Sequence, residues 1–452
     1  MSITAHHQPH AAAPSLHLAL TADAPTTLAA GLTCRIASGE VIEHANLDHG
    51  ASTPALVSVK QAVDSATRTY ASVHRGKGHA SQVSSRYYEA AREEVATFVG
   101  ARADDIVVFT RHTTDSMNLL ASALPAGTQV FVFESEHHAT LLPWADADTV
   151  RLPIPHSVQE AAQTLDAALV QASGQHRLVV LTGASNVTGE LWPLHRLTAI
   201  ARRHDARVVV DAAQLAPHRR IDLRLLGADW VAFSGHKLYA PYGTGVLIGR
   251  RDWLDAAEPY LAGGGASAAV AGGGVTWQSG PARHEGGSPN VLGAVALAAA
   301  CATFTRHREA IEAHEEALFD GLREAFAEIE NVTTYSLFGA DHERVPVLTF
   351  TIDGIDADLV ATVLSIEHGI GVRDGKFCAH LLVDELLARA GGRSATAVRV
   401  SLGLGNRREH VERLIAAVRD LAEHGPRRRY YRDGQGIWRT AGQPPQEIAL
   451  PW

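Results

Sequence analysis

The stretch VVVDAAQLAPHRRIDLRLLGADWVAFSGHK, residues 208–237, decides the fold. It contains two short apolar runs, each followed by one chemically active side chain: Asp211 ends the first and Lys237 comes just after the second. Apolar runs this short, without polar alternation, predict strands buried on both faces, as in parallel sheets covered by helices. Runs of the same kind stand at 106–110 (IVVFT), 129–134 (QVFVFE), 177–183 (RLVVLTG) and 245–250 (GVLIGR), with helix-favouring stretches such as 84–100 between them. The alternation predicts an α/β fold built on a large, doubly wound, mostly parallel sheet.

Working outward, residues 1–40 read as an N-terminal extension rich in Ala, His, Pro and Thr, its first thirty residues mobile, with no periodicity that could bury a face. A large domain is expected over 41–300, interrupted by a Gly/Ala-rich passage at 262–274. A long helical stretch from Val291 to Ile329 leads into a smaller α/β domain over 301–424, with strands near 346–352 and 397–402. Residues 425–452 form a polar tail that is either docked on the body through Tyr430, Tyr431 and Trp438 or solvated and disordered. No internal repeat is visible.

Composition narrows the function. The chain has 452 residues, 46% hydrophobic and 20% charged, enough for a substantial core. Its formal charge of −9 offers no basic field for nucleic acid, and the one dense basic run is Arg427–Arg429. Three scattered cysteines, Cys34, Cys301 and Cys378, cannot make a disulfide framework or a four-cysteine metal site, and they fit a reducing cytoplasm. No run approaches the ~20 apolar residues of a membrane span, and no export signal is seen.

In open sheets, ligands bind outside the carboxyl ends of the strands. The residues after each run should therefore converge: Thr113 and Thr114 opening a helix after the first, His137 and His138 after the second, Asn186 after the third, Asp211 and Gln214 after the fourth, and Ser234, His236 and Lys237 after the fifth. Singly, each has a bland reading. Thr113 and Thr114 could be plain caps, His137 a rim histidine, Asp211 the cap of the next helix and Lys237 a solvated amine. Together they describe a site for pyridoxal 5'-phosphate. An amine can be joined to an aldehyde cofactor, a buried carboxylate can keep a pyridine nitrogen protonated, and hydroxyls at a helix start can hold a phosphate. Lys237 and Asp211 fit the first two roles, and Thr113, Ser234 and His236 the third. His137 would stack on the ring, and Gln214 or Asn186 would reach its hydroxyl. Arg399 lies on the strand face opposite Val398 and Val400, where its guanidinium can take a substrate carboxylate through two parallel hydrogen bonds.

The segments NLDHGASTP (46–54), SVHRGKG (72–78), TTDSMNLLA (113–121), EHHATLLPW (136–144), SNVTGE (185–190), VDAAQLAPH (210–218), SGHKLYAPYGTGVL (234–247), EGGSPNVLG (285–293), RDGKFCAHLL (373–382) and RVSLGLGN (399–406) occur in this order. On these, the chain resembles the class V aminotransferase superfamily of fold-type I pyridoxal phosphate enzymes, and within it the SUF-type (group II) cysteine desulfurases. The resemblance implies a homodimer in which Ser288 reaches the partner's cofactor phosphate, with Arg399 binding an amino-acid substrate. It also implies that Cys378, on a loop with Arg373 and Lys376 close enough to favour thiolate, takes sulfur from L-cysteine as a persulfide for a sulfur-acceptor protein. Departures from the family pattern fall at the substrate side. His49 stands where Asn is usual, at the expected substrate edge, where Arg373 and Asn186 are also expected to bind substrate; His112 replaces a glycine; and Lys376 and Phe377 replace a histidine pair. A carbon–sulfur β-lyase, an aminotransferase or an epimerase acting on a specialised amino acid is the alternative.

Overall fold

The computed structural model describes residues 25–441 and 450–452. The expectations for residues 1–24 and 442–449 lie outside the described residues. A seven-stranded sheet forms the larger part, with strand order, by first residue, 105, 245, 230, 207, 176, 128 and 148. The strands from Thr128, Asp148, His176, Arg207 and Trp230 are mutually parallel. Gly245–Arg250 runs antiparallel to both its neighbours, Trp230–Ser234 and Asp105–Thr110. Six of the seven strands thus point the same way.

The valine-rich runs are strands because both faces are covered. Val208 and Val210 enter the same core as Phe131, Leu181, Val231 and Phe233, while Val209 points the other way to pack with Val132, Val180, Met117 and Trp253. Fully burying such a side chain is worth about 1.5–3 kcal/mol, so a one-residue slip of register, which would exchange the faces, is strongly disfavoured. The expected strands are present within a residue or two at their ends, and the 84–100 helix extends over His79–Phe98. Asp148–Leu152, exposed at Asp148 and Arg151 and buried only at Leu152, adds an edge strand that the sequence reading lacked.

Helix Val291–Ala327 joins the two cores. Leu297, Cys301 and Phe304 sit in the large core, and Phe319, Leu322 and Phe326 in the second with Phe350, Val398 and Val400. The expected division after residue 300 falls inside this helix. Its start is tied to the turn beyond Lys237: the Asn290 side chain accepts from Gly293 N–H at 2.9 Å and donates to the Tyr242 carbonyl at 2.7 Å. The second sheet is antiparallel, in the order Val332–Thr334, Val347–Ile352, Ala397–Ser401, Arg373–Gly375. The Gly/Ala passage is a hairpin, Ser267–Ala271 with Gly274–Trp277. In the tail, Tyr430–Arg432 pairs with Trp438–Thr440, and the Tyr430 hydroxyl donates to Glu367 at 2.9 Å. Among the described residues no helix is long and apolar enough to cross a membrane.

Candidate active site

The carboxyl ends of the parallel strands open onto a cavity of about 360 Å³. Each apolar run stops where the sheet edge meets polar surroundings, and the next residues turn over that edge. Thr113, Thr114, His137, Asn186, Asp211, Gln214, Ser234, His236, Lys237, Arg373, Cys378 and Arg399 all line it. His49 and Ser288 do not.

At one end, the Thr113 N–H and hydroxyl lie 2.8 and 2.7 Å from the Ser234 hydroxyl oxygen. Thr113 begins the Thr113–Ser122 helix, whose first N–H groups have no intrahelical partner and whose cap is His112, accepting from Asp115 N–H at 3.2 Å. Gly245 permits this close approach, because a Cβ there would stand 2.5 Å from the His112 Cα.

In the middle, buried Asp211 accepts from Ala213 N–H at 2.8 Å and from the Thr140 hydroxyl at 2.5 Å. The sequence reading missed its neighbour Glu136, which accepts from Thr182 N–H at 2.9 Å through Oε1 while Oε2 has no partner. Burial first, and the Asp211 charge second, push the Glu136 carboxyl well above the usual carboxylate range. Lys237 ends the Gly235–Lys237 turn, and burial draws its amine down to about 8 against the opposing pull of Asp211. Burial and the Lys237 charge lower His137 to about 3, so its ring is neutral near pH 7, with Nδ1 accepting from Ala139 N–H at 3.0 Å. Gln214 donates to the Gly50 carbonyl at 2.6 Å.

At the other end, buried Arg399 donates to the Asn186 carbonyl at 3.0 Å and pairs with Asp48 at 3.0 Å. Arg373, directly across the sheet from Arg399, pairs with the other Asp48 oxygen at 3.1 Å. Asp48 was not singled out in the sequence; its partners come from more than three hundred residues downstream. Phe377 lies under the Arg399 guanidinium at 5.2 Å. Cys378 is exposed and follows it, and both residues are left-handed, with φ of 52° and 54°. That conformation costs an L-residue about 1–2 kcal/mol.

Two expectations need correcting. His49 is buried away from the cavity, against Tyr239 at 5.9 Å between ring centroids. The turn closed by Ala51 N–H on the Asp48 carbonyl sends Asp48 to the arginines and Gly50 to the cavity, leaving His49 on the far side. The two cations expected to support a Cys378 thiolate are already paired, Lys376 with Asp384 at 2.6 Å and Arg373 with Asp48. Ser288, which the resemblance assigns to the partner's phosphate site and not to this one, lines a separate cavity of about 780 Å³ with Arg75 and Glu285.

The donor set fits pyridoxal phosphate. The Thr113 and Ser234 hydroxyls and the positive end of the helix suit a dianionic phosphate, the buried Asp211 suits a protonated ring nitrogen, and the Lys237 amine forms no ion pair or hydrogen bond among the described residues.

The family model for class-V aminotransferases matches residues 45–414. The chain is 36% identical over 360 residues to a probable cysteine desulfurase of Vibrio cholerae, covering 77% of this chain and 86% of that one. It is 35% identical over 393 residues to a probable cysteine desulfurase of Halobacterium salinarum, covering 85% and 92%. Among solved structures, cysteine desulfurase from Thermococcus onnurineus NA1 superposes with a TM-score of 0.76 at 31% identity, and CsdA of Escherichia coli with 0.73 at 31%; each comparison covers 84% of this chain and 95% of the other. With this sheet, this lysine and aspartate and a match over most of its length, the chain belongs to the class-V aminotransferase family of pyridoxal phosphate enzymes.

Proposed function

We propose that the protein is a cysteine desulfurase, converting L-cysteine to L-alanine and passing the sulfur to Cys378 as a persulfide. The observation that carries this reading is the meeting in one cavity of a depressed amine, a buried guanidinium and an exposed thiol: Lys237, Arg399 and Cys378. The cysteine desulfurases among its relatives support it.

Bound pyridoxal phosphate supplies an aldehyde for covalent attachment and a ring that draws electrons from the substrate α-carbon. Thr113, Thr114, Ser234 and His236 hold its phosphate, Asp211 its ring nitrogen, His137 its face, and Gln214 or Asn186 its hydroxyl. Arg399 takes the substrate carboxylate, with Arg373 beside it. Lys237 moves the α-proton, and neutral His137 can exchange a proton beside it. The Cys378 thiol attacks the substrate sulfur. A sulfur–sulfur bond forms as the carbon–sulfur bond breaks, the carbon takes up a proton, and alanine leaves without any external oxidant.

The working unit on this reading is a homodimer. The face that carries Ser288 also carries the 267–277 hairpin, where Val270 and Val275 are exposed, and a second copy seated there would bring Ser288 to the other phosphate site. All three cysteines are free, in keeping with a reducing cytoplasm and with delivery of the sulfur to an acceptor protein.

The test is to incubate holoenzyme with L-cysteine and to separate alanine from pyruvate plus ammonia, for wild type and Cys378→Ala. Alanine and a Cys378 persulfide are expected from wild type and neither from the variant. Equal pyruvate from both would overturn the reading in favour of a β-lyase.

A further inference from the structure

The Cys378 segment is held in an uncommon conformation by bonds from two different strand ends. Phe377 and Cys378 are consecutive left-handed residues, a region neither side chain favours unaided. The Phe377 carbonyl accepts from the Asn186 side-chain amide at 2.8 Å, and the Cys378 carbonyl accepts from His138 N–H at 2.8 Å. The flanks are fixed separately, by Lys376 with Asp384 at 2.6 Å and by Ala379 N–H on the Lys376 carbonyl at 2.9 Å. Asn186 is itself buried, and its main-chain carbonyl accepts from Arg399 at 3.0 Å. One residue therefore touches the carboxylate-binding end with its backbone and the sulfur-bearing segment with its side chain. Substitution can remove the second contact and leave the first.

We propose that Asn186 is a positioning residue for Cys378: its side-chain amide holds the Phe377–Cys378 segment in the left-handed conformation that keeps the thiol on the cavity wall, and ties that segment to the strand end that carries Arg399. This rests on reading Cys378 as the sulfur-accepting thiol. The exposed Cys378 side chain has no packing of its own to keep it there, so the two carbonyl bonds set where it points. With the Asn186 bond gone, one remains against the steric preference of two residues, and the segment relaxes toward ordinary backbone angles.

The experiment compares wild type, Asn186→Ala and Asn186→Asp as cofactor-loaded enzymes without substrate. Aspartate keeps the size of the side chain but as a carboxylate cannot donate to the Phe377 carbonyl. Amide hydrogen exchange is followed at Ala379 and at His138, whose N–H groups bond to the Lys376 and Cys378 carbonyls, with the cofactor absorbance recorded alongside. In both variants exchange at these positions is expected to quicken about tenfold, equivalent to about 1.4 kcal/mol, while the Ala397–Ser401 strand exchanges as in wild type; the absorbance serves to match the proteins for cofactor content. Exchange within about twofold of wild type in either variant, or quickening shared equally by the 397–401 strand, would overturn the proposal. Because exchange is read without turnover, a desulfurase activity that survived Cys378→Ala would count against the proposed reaction and not against this clamp.

Discussion

Replacing Glu136 with glutamine probes the electrostatics at the strand ends. Glu136 is 1% exposed, takes one hydrogen bond from Thr182 N–H at 2.9 Å, and stands near Asp211 with its second oxygen unpartnered. Burial and the Asp211 charge raise its folded-state pKa. In the unfolded chain its value is the ordinary ~4.3. The folded protein therefore holds one proton more than the unfolded chain from about pH 4.3 up to the raised value, and stability falls with rising pH across that window by about 1.4 kcal/mol per unit. Glutamine keeps the shape and the acceptor for Thr182 and has no proton to lose. The stability of Glu136→Gln relative to wild type should consequently grow between about pH 5.5 and about pH 7.5 for as far as the raised value reaches, at up to about 1.4 kcal/mol per unit. Urea unfolding of the two cofactor-loaded proteins at both pH values measures this, since the difference between variants cancels the other titrating groups. A difference that is flat, or that shrinks as pH rises, would refute the reasoning by showing Glu136 ionised in the fold. The functional corollary is that a neutral Glu136 leaves Asp211 as the one carboxylate charge facing the ring nitrogen, so the glutamine variant should keep the cofactor absorbance.

Other outcomes follow from the same geometry. With the Lys237 amine drawn down to about 8, uptake of pyridoxal phosphate by cofactor-free protein should quicken close to tenfold per pH unit as the neutral amine grows, then level off above about 8; a rate flat from about pH 6.5 to 8 would contradict this. Arg399→Gln should lower kcat/KM for L-cysteine by roughly a hundredfold, mostly through KM, whereas Arg373→Gln, at a half-exposed side chain, should cost far less; equal losses in steady-state kinetics would contradict the division of roles. Lys376→Ala should change the rate of Cys378 alkylation by less than about twofold, because Asp384 holds that ammonium, and a tenfold slowing would show that it acts on the thiol instead.

What could be read beforehand, and what could not, divides on where each signal is carried. The strands from Arg207 and Trp230 announce themselves locally, since a run of apolar residues must be buried wherever it goes. The cleft was legible for the same reason, because a strand end and the polar residue after it are adjacent in the chain. The reversed direction of Gly245–Arg250 could also have been inferred: the link from Ser234 holds no crossover helix, and a parallel neighbour needs a connection of a dozen residues or more. Glu136, Asp48 and Asn186 are different. Each carries its role through a partner from a distant segment: Thr182, the two arginines, and the Phe377 carbonyl. The cations beside Cys378 make the same point in reverse, for chain proximity suggested that Arg373 and Lys376 would act on the thiol, while the fold gives each a carboxylate first. A neighbour in sequence establishes reach; engagement is settled by the nearest opposite charge or free acceptor. At this site that group arrives from another element, so the side chains that tune the chemistry were harder to foresee than those that perform it.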